Sequence, residues 1–185
     1  MADNAAFFHD TREPSFVSNL SAVTLAATLK ALYTPSNFPF LGGQYFSRPG
    51  KRLRIRAFAS ITTALTPGNG VLSVLYGTGA DANGVVLAST AAHVLIASQT
   101  NLSLEIDITV RCITTGSAGT LEVTGKVIYN AAVVATFVQM IPASAAAPSA
   151  ACDLTAALII SLQYSRSGST AETIAITDLE VDALN

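Results

Sequence analysis

Hydrophobic and polar residues alternate along most of the chain, and this pattern predicts β-strands with one buried face. The longest run covers residues 102–112, where every second residue is apolar and the intervening residues are polar or charged. The predicted inward rows are Leu53, Ile55, Ala57, Ala59 and Ile61; Leu102, Leu104, Ile106, Ile108, Val110 and Cys112; Leu121, Val123, Gly125, Val127 and Tyr129; and Leu158, Ile160, Leu162 and Tyr164. Such alternation is typical of antiparallel sheets that expose one face to water.

Shorter strands are predicted between these rows. Residues 70–76 and Val85–Ser89 flank the sequence GTGADANG, whose Gly, Asp and Asn residues favour a turn. Residues 133–141 are apolar on both faces, as expected of a strand that is sandwiched or that lies against a partner chain. In Thr173–Leu184 the apolar positions change parity near Asp178, which predicts a β-bulge.

Three segments are less regular. From Val23 to Tyr33 a weak alternation favours a strand, but the Ala and Leu content leaves a helix open. Residues 1–15 show no period and predict an N-terminal arm, which leaves residues 16–185 as the β-sandwich domain. Residues 142–151, PASAAAPSAA, predict a long loop that crosses between strands. Eight or nine strands with no amphipathic helix between them indicate an all-β sandwich.

Composition narrows the classes of function. The chain has 185 residues, enough for one domain, and only 12% of them are charged, about half the usual share. The net charge of −2 does not favour binding to nucleic acid or to an anionic membrane. No apolar stretch approaches the roughly 20 residues of a membrane span, and MADNAAFFHDTREP does not resemble a signal peptide. We therefore expect synthesis in a host cytoplasm, without export by a signal peptide.

Few residues offer catalytic or metal chemistry. The two histidines, His9 and His93, are expected at the surface or at an interface, and no Gly-x-Ser-x-Gly elbow places a nucleophilic serine. Cys112 points inward; a disulfide with Cys152 is conceivable, although cytoplasmic proteins usually keep such a pair reduced. The sequence therefore predicts no catalytic residue, no metal site and no cofactor.

Two local patterns imitate functional motifs. The glycines of residues 77–84 suggest a phosphate-binding loop, but a strand follows them instead of a helix, so a hairpin loop is expected. The same loop contains the start of a calcium-binding pattern without its closing Glu. Glu105 and Asp107 share a strand face, as paired carboxylates of a glycosidase would, but the chain has no Trp to stack on a sugar. Exposed strand carboxylates are the expected outcome.

A basic ridge is predicted where Arg52, Arg54 and Arg56 share one strand face. The ridge could dock on an acidic partner, or it could pair with acidic residues of neighbouring strands. The candidates for such pairing are Glu105, Asp107 and Glu122.

Aromatic residues concentrate in two irregular segments. The segment TPSNFPFLGGQYFSRPG contains Phe38, Phe40, Tyr45 and Phe46. These side chains either cover an open end of the sandwich or join a subunit interface. Phe7, Phe8 and Phe16 lie in or beside the arm. Because a terminal arm lacks a core of its own, we expect Phe7 and Phe8 to insert into a neighbouring subunit.

Three stretches resemble a class of tailed-bacteriophage virion proteins. They are QYFSRPGKRLRIRAFASITTALTPGNGVLSVLYGTG, LEIDITVRCITTGSAGTLEVTGKVIYN and LTAALIISLQYSRSGSTAETIAITDLEVDAL, and the similarity extends from about Val23 to Leu184. The resemblance implies a jelly-roll-like β-sandwich that acts as a capsid decoration (cement) protein or as a module of a head or tail fibre, commonly as a homotrimer. Where these proteins have a Trp near the penultimate strand, this chain has Tyr164.

The sequence and the resemblance together predict a non-enzymatic virion structural protein on the capsid exterior. Its expected partners are further copies of itself, as a homotrimer, and the major capsid protein. A receptor-binding or fibre module is the alternative, and an enzyme or carbohydrate-binding domain would need a polar constellation or a Trp-rich face. The predicted contact residues are Phe7, Phe8, Phe16, Arg52, Arg54 and Arg56.

Overall fold

Two antiparallel sheets enclose one hydrophobic core, which confirms the predicted all-β, jelly-roll-like sandwich. A computed structural model describes residues 15–18, 20–38, 41, 45–130, 138–168 and 172–184. Phe7 and Phe8 lie outside the described residues, and Phe16 is described in its backbone only.

Twelve strands are defined in the described part of the chain. In chain order they are β1 (Ser15–Ser18), β2 (Val23–Thr24), β3 (Lys30–Ala31), β4 (Arg52–Thr62), β5 (Asn69–Gly77), β6 (Val85–Ser89), β7 (His93–Val94), β8 (Leu102–Thr114), β9 (Thr120–Tyr129), β10 (Val138–Ile141), β11 (Ile159–Arg166) and β12 (Thr173–Leu184). A 3-10 turn spans Pro35–Asn37. The number exceeds the predicted eight or nine because β1, which begins at Ser15 within the predicted arm, and the two-residue β7 were not predicted. In addition, the segment predicted as one strand from Val23 to Tyr33 contains the two short strands β2 and β3.

The first sheet has the order β1-β12-β4-β8-β9-β10, and β2 also pairs with β12. The second sheet has the order β3-β11-β5-β6, and β7 also pairs with β5. The first sheet contains the four longest strands, and three of them were predicted as regularly alternating rows.

The predicted inward rows form the core between the sheets. Ile55 of β4, Ile106 of β8 and Val127 of β9 are completely buried, and the polar residues between the inward positions face away from the core. Burying each of these apolar side chains stabilises the fold by about 1.5–3 kcal/mol. The alternation in the sequence therefore accounts for both the strands and the face that each strand buries.

The bulge predicted in the last strand is also confirmed. The register of β12 against β4 shifts between Ile176 and Asp178. Because one residue is inserted there, Ile176 before the shift and Leu179 after it both point into the core.

The segment from Val23 to Tyr33 is neither the predicted continuous strand nor the alternative helix. Its first part bonds to the first sheet, where the Leu25 amide donates to the Glu172 carbonyl. Its second part bonds to the second sheet, where the Leu32 amide donates to the Leu162 carbonyl. The alternation is weak because the segment changes sheets, and only the short strands β2 and β3 run regularly.

The predicted crossing over residues 142–151 leads from β10 in the first sheet to β11 in the second. On the way the Ala143 amide donates to the Ser89 carbonyl at the edge of β6, and the Ser149 amide donates to Leu121. Of the strand predicted over residues 133–141, only β10 lies within the described residues, and there Val138 and Met140 are exposed.

The aromatic segment after the 3-10 turn packs onto the core. Phe38, Tyr45 and Phe46 are each at most 3% exposed, and Phe46 contacts the ring of Tyr76 edge-on with the centroids 6.5 Å apart. This placement supports the prediction that the segment covers an open end of the sandwich. Phe40 lies outside the described residues.

Candidate interaction surfaces

The outward side of the first sheet carries half of the charges of the chain, and we call it the charged face. The sequence has 10 basic and 12 acidic residues. Those that alternate with buried positions on this sheet are Arg52, Arg54, Arg56, Arg111, Lys126, Glu105, Asp107, Glu122, Asp178, Glu180 and Asp182. Because these side chains lie on the same face of adjacent strands, acidic and basic groups can form ion pairs there while they remain in contact with water.

Three ion pairs cross the strands of the charged face. Arg54 and Asp107 form a two-point contact, with Nε to Oδ1 at 2.9 Å and Nη2 to Oδ2 at 2.7 Å. The hydrogen bond from Arg54 lowers the pKa of the Asp107 carboxyl, and it raises the pKa of the guanidinium in turn. The other pairs are Arg56 with Glu180, at 3.7 Å, and Arg111 with Glu122, at 2.9 Å.

The predicted basic ridge therefore pairs across strands at two of its three positions. Arg54 meets Asp107, one of the three predicted acids, whereas Arg56 meets Glu180, which was not among them. Arg52 is exposed and lies directly opposite Arg111 of β8, so it stands next to a like charge. Among the three, Arg52 is the residue best placed to contact another molecule.

Glu105 and Asp107 lie on the same face of β8 but have different neighbours. Asp107 is engaged by Arg54, and Glu105 lies opposite Phe58 of β4 and Ile128 of β9. A shallow hollow of about 360 Å³ opens beside Arg54 and Asp107, and its other lining residues are Thr109, Thr124, Gly125, Lys126, Met140 and Leu184. This hollow is a shallow depression on the sheet, lined by both polar and apolar side chains.

An uncharged surface lies at one end of the sandwich, where the chain passes from β4 to β5. Residues 63–69 run beside residues 94–99: Ser98 donates to the Ala64 carbonyl, and Leu95 donates to the Gly68 carbonyl. Three large apolar side chains are exposed there, Leu65 by 79%, Val94 by 66% and Ile96 by 38%. We call these three residues the end patch. Neither segment contains a charged residue, which distinguishes the end patch from the charged face.

His93 is buried, so the expectation of a surface or interface histidine was wrong. It is 6% exposed, and its Nε2 lies 2.8 Å from the Tyr164 hydroxyl, with the Tyr129 ring 4.8 Å away between centroids. Gly70 pairs with His93 across β5 and β7, and a side chain at that position would collide with the Tyr164 hydroxyl. Burial lowers the pKa of His93. His93 is two residues before the buried Leu95 and lies on the same side of the strand, so the alternation pattern could have predicted its burial.

Sequence reasoning also missed a buried ion pair between the two sheets. Arg166 ends β11, Glu172 precedes β12, and Nε lies 2.6 Å from Oε2 with both side chains almost fully buried. The Arg166 Nε also donates to the Leu25 carbonyl at 3.3 Å. The pair links the two sheets to each other and to the segment from Val23 to Tyr33, which is a structural role. Charged residues far apart in the alternation pattern give no signal of such a pair.

The loop of residues 77–84 is a hairpin loop between β5 and β6, as predicted. Gln163 of β11 holds it by donating to the Ala80 carbonyl and accepting from the Ala82 amide, each at 2.9 Å. Asp81 pairs with Lys30 at 2.7 Å. These contacts attach the loop to β11 and β3 of the second sheet.

The remaining candidate chemistry is limited. Cys112 and Cys152 are free thiols and buried, and burial raises the pKa of both. Within the described residues, no three His, Cys, Asp or Glu side chains gather as metal ligands would. In the same part of the chain, no helix is both long and apolar enough to cross a membrane.

Comparison with known proteins does not assign a family. No protein-family model and no curated protein matches the chain. Among solved structures it is similar to peanut lectin with a nine-residue peptide, at 9% identity and a TM-score of 0.36 over 95% of this chain and 93% of that one. It is also similar to the CBM2 module of the evolved Dit protein of Lactobacillus casei BL23 phage J-1, at 7% identity and a TM-score of 0.33, over 94% of this chain and 92% of that module. Such low values support no inference of function.

Proposed function

We propose that the protein is a non-enzymatic virion structural protein, which binds the outside of a phage capsid and decorates or cements it as a homo-oligomer. The observation that carries this proposal is the end patch, because exposed apolar residues that lie together on a soluble domain favour a protein–protein contact. The resemblance to tailed-phage virion proteins supports the capsid as the site of action, and it implies a homotrimer.

The proposed contacts have two components. Phe7, Phe8 and Phe16 would add apolar area to the contact between copies, and Arg52 would contact an acidic group on the shell. Arg54 and Arg56 would contribute mainly by neutralising acidic groups of the charged face, because acids of the same sheet already pair with them. A contact that buries about 1,000 Å² would reinforce a shell when capsid symmetry repeats it.

The number of copies per particle tests the proposal. Purified virions are separated on a denaturing gel, and the 19.1 kDa band is quantified against the major capsid protein. Hundreds of copies per particle are the expected result, because decoration follows the symmetry of the shell. Absence of the band from particles would contradict a virion role.

A receptor-binding or fibre module is the second candidate. It is favoured by the hollow beside Arg54 and Asp107, because the Thr and Lys side chains in its mixed polar and apolar lining could bond to a receptor group. The same gel distinguishes it, since a fibre or vertex component would be present in at most a few dozen copies.

A further inference from the structure

The two ends of the sandwich differ in a way that bears on self-association. Ser15, the first residue of β1, pairs with Val181, which in turn lies opposite Ile55 of β4. Because β1 runs parallel to β4, residues 1–14 join the sandwich at the Arg52 end. The end patch follows Thr62 and therefore lies at the opposite end.

The arm cannot bring its two phenylalanines to the end patch of its own copy. Phe8 is seven residues from Ser15, which allows a reach of at most about 25 Å in a fully extended chain. Strand β4 alone covers about 23 Å from Ile55 to Thr62, and Leu65 lies beyond it. Because β1 runs from the Arg52 end towards the Thr62 end, a chain that precedes Ser15 would have to turn back to reach the end patch, and the turn would consume part of its length.

We infer that the end patch receives the Phe7–Phe8 segment of a second copy. Two antiparallel copies place the Arg52 end of each beside the Thr62 end of the other, within reach of the arm. Phe7 and Phe8 are the two aromatic residues of residues 1–14, and Leu65, Val94 and Ile96 offer an apolar, uncharged acceptor. Arm and patch would thus exchange reciprocally in a two-fold pair.

This inference rests on the self-association in the proposed function and not on its capsid role. It replaces the homotrimer that the resemblance implies. Parallel copies in a ring would leave each end patch a strand length away from the neighbouring arm.

The mass of the full-length protein in solution tests the inference. Sedimentation equilibrium should give twice 19.1 kDa for the natural sequence. The double variants F7S/F8S and L65S/V94S should each associate at least tenfold more weakly, because the central apolar groups dominate such contacts. The positions in the second variant are exposed, so the circular dichroism spectrum should not change.

A matched control uses apolar residues that are exposed elsewhere. Val86 and Met140 are 47% and 61% exposed, so V86S/M140S removes comparable surface and should leave the pair intact. Mixing F7S/F8S with L65S/V94S should restore partial association, since one intact arm then faces one intact patch.

Several results would overturn the inference. These are a monomeric or trimeric natural protein, pairing that survives L65S/V94S, or a mixture no more associated than its components. If both variants keep their mass but lose capsid binding, the arm and patch contact the shell. That result would reject the inference while leaving the proposed function standing.

Discussion

The outward sides of the two sheets satisfy their polar groups in different ways. The first sheet exposes the charged face, where carboxylates and guanidinium groups pair across strands and keep contact with water. On the second sheet Ser161 and Gln163 of β11 also point away from the core, yet they are completely buried. Their partners are neutral groups, chiefly of the hairpin loop. A charged group in this position would lose its hydration, whereas an amide can satisfy both its donor and its acceptor.

The largest effect is expected on the covered side, from Gln163→Leu. The substitution keeps the volume of the side chain but removes its bonds to Ala80 and Ala82, and part-buried polar groups then lack a partner. We expect a loss of about 2 kcal/mol in the free energy of unfolding, measured by urea denaturation.

Gln99→Leu is the matched control for this change. Gln99 also bonds to a backbone carbonyl, that of Ala97, but it lies in a partly exposed loop. Its replacement should cost less than about 1 kcal/mol, because water replaces the lost partner. Equal losses for the two variants would refute the distinction between the covered and exposed sides.

The same contrast explains how much of the fold the sequence predicts. The rows through Ile55, Ile106 and Val123 were predicted residue by residue, because one wet face produces strict alternation. Strand β11 is buried on both sides, so only its inward row was recognised. The hairpin loop that covers Gln163 is not visible in the alternation.

The candidate surfaces divide along similar lines. The Arg54–Asp107 pair follows from strand parity and was predicted as one alternative. Arg56 meets Glu180 because of the order of strands in the sheet, which alternation does not reveal. The end patch and the Arg166–Glu172 pair depend on where loops cross between sheets, and the sequence contains no periodic signal for either.

An intermediate effect on stability is expected at acidic pH, from the protonation of His93, a buried residue of β7 in the second sheet. Burial lowers the pKa of His93 below its ordinary 6.5, so the folded state favours the neutral ring and the unfolded chain takes up the proton. The contribution of neutral His93 to the free energy of unfolding is therefore fully present above about pH 6.5 and declines below it, by at most about 1.4 kcal/mol per pH unit. Urea denaturation at pH 7.5 and 5.5 should show a smaller decline in His93→Gln.

His9→Gln is the matched control, because His9 and His93 are the two histidines of the sequence. This variant should keep the decline of the natural protein. A decline that is equally large in His93→Gln would assign the acid sensitivity to other groups.

The smallest effect is expected on the charged face, from the Arg54–Asp107 pair. Although its geometry is good, both side chains keep contact with water, with 37% and 20% of their surfaces exposed. A double-mutant cycle of Arg54→Gln and Asp107→Asn should give a coupling energy below about 1 kcal/mol, decreasing further in 1 M salt. The lowered pKa of Asp107 predicts a pH dependence of this coupling. The contribution of the pair to the free energy of unfolding is present above the ordinary carboxyl pKa near 3.8, and it is lost as the pH falls through the lower pKa of the folded state. A coupling of several kcal/mol that persists in salt would mean that the charged face is shielded from water, as it would be if another molecule covered it.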